Sequence, residues 1–110
     1  PYAACMAKGD AAAVARLEAG YLADARASAA AARAAGDETP QVLLLHAGAF
    51  TARMLPRLLA MYRDMGFRFA LLPEVERAPS HAAAIDPSRP GPTAALPMPK
   101  PAGPPLGICQ

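Results

Sequence analysis

Residues 11–35 form a run of 25 positions that holds 14 alanines and no proline. Alanine is the best helix former, and an unbroken stretch of it leaves the backbone little alternative. Asp10 stands just ahead, where its carboxylate can accept from the exposed amides of a first turn. Gly36 stands just behind, able to take the left-handed conformation that ends helices. The spacing therefore predicts one long helix over 11–35. Val14, Leu17 and Tyr21 fall on one face of it, but beyond Leu22 that stripe thins to Ala and Ser. So weak an apolar face suggests a helix lying against something larger.

The rest of the chain reads as short elements and then loosens. Residues 36–41 carry Gly, Asp, Glu, Thr and Pro and predict a turn. The apolar run 42–46 predicts a strand buried on both faces, the habit of parallel sheets covered by helices. A second helix is expected over 55–65, with Pro56 in its first turn, where a missing amide costs nothing. Thr51 is a rival start, but it would leave Pro56 too deep. Leu55, Leu58, Leu59 and Tyr62 supply the stripe, and Gly66 the stop. Residues 67–72 predict a second strand, and 73–77 a short helical turn. Strand, helix and strand make one βαβ unit with a right-handed crossover. Beyond residue 80 Pro, Gly, Ser and Ala dominate, which predicts a disordered, partly polyproline-like tail over 81–110.

Composition bounds what such a chain can be. Ala supplies 29 of the 110 residues, whereas Ile, Leu, Val and Phe together supply 20. That is below the ~20% at which self-sufficient cores become doubtful. No stretch reaches the ~18 uninterrupted apolar residues of a membrane span, and the N-terminus lacks the pattern of a signal peptide. A net charge of +2 sets up no field that selects nucleic acid. Cys5 and Cys109 stand at opposite ends, with neither pairing nor metal-type spacing, and identify no redox compartment.

One residue signals chemistry. His46 closes the expected strand 42–46, and catalytic groups gather at the carboxyl ends of parallel strands. Leu44, two positions earlier, points the same way on a strand. The ordinary alternative is a strand-end His hydrogen-bonded to a loop carbonyl.

The segments Gln41-Val-Leu-Leu-Leu-His-Ala-Gly-Ala-Phe50, Leu55-Pro-Arg-Leu-Leu-Ala-Met-Tyr62 and Gly66-Phe-Arg-Phe-Ala-Leu-Leu-Pro-Glu74 resemble the C-terminal part of the polysaccharide deacetylase (NodB-homology) family. The resemblance covers residues 1–80 and implies the end of a distorted (β/α) barrel. It implies His46 as the general acid that protonates the departing amine, and Leu44 as lining for the acetyl methyl. It also implies a divalent, zinc-like metal and an acetylated carbohydrate substrate for the complete enzyme. Chemistry of this kind needs about three protein ligands. Here the only histidines are His46 and His81, 35 positions apart, with no aspartate pair ahead of them. The chain therefore reads as a fragment that binds no metal, is inactive alone and lacks the N-terminal barrel portion it needs for stability. His81 reads as a solvated linker residue, and Asp10, Asp24 and Asp64 as caps or exposed faces.

Two other classes compete with this reading. One is a non-catalytic helical interaction module with a flexible Pro-rich tail. The other is the rear half of a nucleotide-binding α/β domain, disfavoured because no Gly-rich phosphate loop follows either strand.

Overall fold

A computed structural model of the chain describes residues 1–35, 40–79, 81, 87–88, 103 and 108–109. Four helices follow in order: α1 (Tyr2–Ala7), α2 (Ala11–Ala35), α3 (Ala49–Asp64) and α4 (Leu72–Val75). Among the described residues there is no strand. The expected βαβ unit of a (β/α) barrel is therefore corrected to a helical arrangement, in which α2 packs against both α1 and α3.

The turn from α1 to α2 is written in three residues. Gly9 takes φ +67°, its N–H bonding to the Met6 carbonyl at 3.1 Å while that of Asp10 reaches Cys5 at 3.0 Å. These are the paired bonds of a Schellman stop, which satisfy carbonyls that the helix end leaves free. Asp10 then caps the next helix, its Oδ1 accepting from the Ala13 N–H at 2.8 Å. Helix α2 runs over the expected residues. Gly36, its expected stop, lies outside the described residues.

Helix α3 ends by the same device. Gly66 sits at φ +84°; its N–H bonds to Arg63 at 2.8 Å, and that of Phe67 to Tyr62 at 2.9 Å. The ring of Phe67 meets that of Tyr62 at 5.7 Å, edge to face, the apolar contact that often accompanies this stop. Its start differs from expectation: α3 begins at Ala49, which puts Pro56 inside the helix. The earlier start lets Phe50 sit between Tyr2 and Tyr21, at 4.8 and 5.2 Å. It also lays fully buried Met54 into the interface beside Leu58 and Met61. Those contacts offset the amide bond that Pro56 cannot make.

Contacts between α2 and α3 advance in step. Tyr21 meets Phe50, Arg26 and Ala60 line one groove, and the Arg33 guanidinium donates to the Met65 carbonyl. The two helices therefore run in the same direction, and the chain between them has to travel back along α3. At ~1.5 Å per residue α3 is about 24 Å long, a span that residues 40–48 can cover when extended. Residues 42–46 belong to this return path. They are not a strand because nothing described pairs with their backbone, and an unpaired ladder has no reason to form. Val42, Leu43 and Leu44 are exposed, Leu44 to 85%. Residues 67–71 are likewise irregular, and the short helical turn expected after them is α4.

The molecule has two ends. At one, Cys5, Ala13 and Val14 form a small core with Tyr2, Leu17, Ile108 and Cys109 packed on it. A disulfide joins Cys5 to Cys109, with Cα atoms 5.0 Å apart across a sequence separation of 104. This corrects the reading of the cysteines as unpaired by spacing. The contact is long-range and set by tertiary structure, so spacing could not carry it. At the other end α2 and α3 terminate side by side. The tail expected over 81–110 lies outside the described residues, apart from His81, Pro87, Ser88, Gly103, Ile108 and Cys109.

Candidate functional site

The two residues expected to carry chemistry are both on the return path. His46 and Leu44 are exposed there, without the strand that was to aim them at a common pocket. His81 is half-buried rather than solvated, and its Nε2 donates to the Pro40 carbonyl at 3.0 Å. That bond assigns the ring proton to Nε2 and ties the end of the described C-terminal segment to the start of the return path. Asp10 is a helix cap as expected, and Asp64 is an exposed residue at the end of α3. Among the described residues, no three His, Cys, Asp or Glu side chains gather where they could hold a metal. No described helix is long and apolar enough to cross a membrane.

The polar contact that the fold does build joins α2 to α3. Glu18 is 6% exposed, its Oε1 accepting from Arg53 Nε and its Oε2 from Arg57 Nη1, each at 2.6 Å. The arginines are four apart and so share one face of α3. Their side chains are half exposed, which keeps the guanidiniums hydrated while the carboxylate lies at the seam. The hydrogen bond from Arg53 holds the Glu18 carboxyl below the usual range against the opposing effect of burial, and the charges of both arginines add to it. The same carboxylate raises Arg53 above its ordinary value. This cluster is a clamp rather than a reactive centre: each oxygen is engaged by a permanent cation, and no nucleophile touches it. Beside it an open groove of about 470 Å³ has a floor of Leu22, Ala23, Ala60 and Met61, with Arg26, Arg57 and Asp64 on its rim.

Most of the large apolar side chains left exposed fall in the two segments that flank α3. Val42, Leu43 and Leu44 are exposed on one side of the sequence, and Phe69, Leu71 and Leu72 on the other. Three contacts hold residues next to these segments in the sequence. Arg33 reaches both the Met65 carbonyl and, at 5.3 Å, the ring of Phe67. The third is the His81–Pro40 bond. Arg63 covers Phe69 at 5.2 Å from the ring centroid, while Glu74 folds back to accept from the Leu71 N–H at 3.0 Å. Sequence reasoning assigned these residues to two strands, the first buried on both faces. Its signal for that first strand, continuous hydrophobicity, reports that a segment needs cover and not what supplies it. No protein-family model, curated protein or solved structure matches this chain.

Proposed function

We propose that the chain is a helical interaction module whose contact surface is the exposed apolar segments 42–44 and 69–72, and that its partner is a second copy of itself. The observation that carries this reading is the exposure of six large apolar side chains in the two segments that flank α3. Large apolar surface left open to solvent marks interaction sites. A second copy suits the charges around it. Arg68 and Arg77 flank Glu74 and Glu76 in the same short segment, so a two-fold arrangement can set each sign against the other. A low net charge also leaves little long-range repulsion between copies. The deacetylase reading ran through a strand ending at His46, and no specific observation favours it here.

Sedimentation velocity on the oxidised full chain, over a range of concentrations, tests the proposal. The expected result is a monomer–dimer equilibrium that the double substitution Leu44→Asp, Leu71→Asp shifts to monomer without loss of helicity by circular dichroism. A wild-type chain that stays monomeric at every concentration, or a variant that dimerises equally, overturns it.

A further inference from the structure

The disulfide has two unlike sulfurs. Cys5 lies inside α1 and is fully buried, whereas Cys109 is half-buried in a turn. Cys109 also takes φ +58°, in the left-handed region that side-chain-bearing residues rarely adopt. Its neighbour Ile108 packs on the small core of Cys5, Ala13 and Val14, beside Tyr2 and Leu17. One covalent bond thus holds a segment from the far end of the sequence, in a disfavoured backbone conformation, over an apolar seat made by α1 and α2.

We propose that this disulfide is a latch opened by thiol exchange at Cys109, and that opening it releases Ile108 and Cys109 from the α1–α2 seat. The co-reactant is a dithiol reductant. Its thiolate forms a bond to Cys109 Sγ, the Cys109–Cys5 bond breaks, and the electron pair leaves on Cys5 Sγ, which takes a proton from water. The second thiol then attacks the mixed disulfide and frees Cys109. The dithiol becomes a disulfide, and two electrons have passed to the protein. Attack falls on Cys109 because Cys5 Sγ is closed to solvent. Asp10 Oδ2 lies 3.9 Å from Cys109 Sγ, and its charge slows an anionic attacker without blocking the approach. Once free, Cys109 can leave the left-handed conformation, and Ile108 has no covalent reason to stay. The seat it vacates is apolar and lined by one face of α2. This latch shares no residue with the surface proposed for self-association and does not depend on it.

The test uses the oxidised full chain and glutathione as the thiol, quenched with N-ethylmaleimide in denaturant and mapped by mass spectrometry. Glutathione is expected on Cys109 in roughly tenfold excess over Cys5, since attack at a closed sulfur needs a prior opening. Hydrogen exchange on the fully reduced chain should then quicken over residues 5–17 and stay unchanged over α3. Replacing Asp10 by Asn, which still caps α2, should speed the first step. Glutathione mainly on Cys5, exchange only in denaturant, unaltered protection over 5–17, or loss of α3 protection on reduction overturns the latch. The last result would make the bond a brace for the whole fold.

Discussion

Glu18 shows what a single residue contributes when two helices meet in parallel. Carboxylates are seldom as buried as this one unless paired, and here each oxygen has its own guanidinium. Because those partners depress its acidity in the folded state, the carboxylate's contribution is present above the unfolded value and lost as pH falls through the folded one. Acid should therefore loosen α2 from α3 in the wild-type chain below about pH 4.5. In Glu18→Gln that limb of the pH profile should flatten, with stability at neutral pH already lowered. Helicity followed through an acid titration of both proteins checks this, and identical acid limbs would remove Glu18 from the account. At this scale the sequence was partly legible. Asp10 could be read as a cap because capping is local, a matter of three residues. Glu18, His81 and Cys109 could not, since each meets a partner 35 or more positions away. His46 was misplaced for the opposite reason: its role depended on a strand, and a strand is a property of its neighbours.

Among the elements, those with strong local signals formed where expected. Helix α2 follows its alanines, and the stop at Gly66 follows from a glycine able to adopt φ +84°. The start of α3 was not legible, because Pro56 argued for a later start and only tertiary contacts argue for Ala49. Proline in a helix interior costs ~3 kcal/mol relative to Ala, while its stiffness in the unfolded chain returns ~0.4–1 kcal/mol. The substitution Pro56→Ala should accordingly stabilise the protein by about 2 kcal/mol. Pro56 is exposed, so no packing is lost to confuse the result. Urea titration measures the change. A variant no more stable than wild type would mean that Pro56 fixes a bend on which the Phe50 and Met54 contacts depend. The two expected strands failed together: the run 42–46 was read as buried and 67–72 as its partner strand, whereas Val42, Leu43, Leu44 and Leu71 lie in the open.

For the whole molecule, the balance between core and surface decides how it behaves. Among the described residues, the buried apolar side chains larger than Ala or Cys are Val14, Met54, Leu58 and Met61. Six comparable side chains are exposed in the segments that flank α3. Hydrophobic burial is the main favourable term in folding, so a chain with this distribution gains stability by associating. A dimer that covers these segments couples folding to protein concentration by mass action. Tenfold more protein stabilises a dimer by about 1.4 kcal/mol, or about 0.7 kcal/mol per chain, and so raises the thermal midpoint by about 3–5 °C. Melts of the oxidised protein at several concentrations should show that rise. In the Leu44→Asp, Leu71→Asp variant the midpoint should be lower at high concentration and independent of dilution. Convergence of the two proteins at high dilution would locate the difference in association, because the substituted side chains are solvent-exposed in the monomer. A wild-type midpoint indifferent to concentration would instead mean that the small core suffices alone, and that the exposed leucines stabilise nothing by being covered.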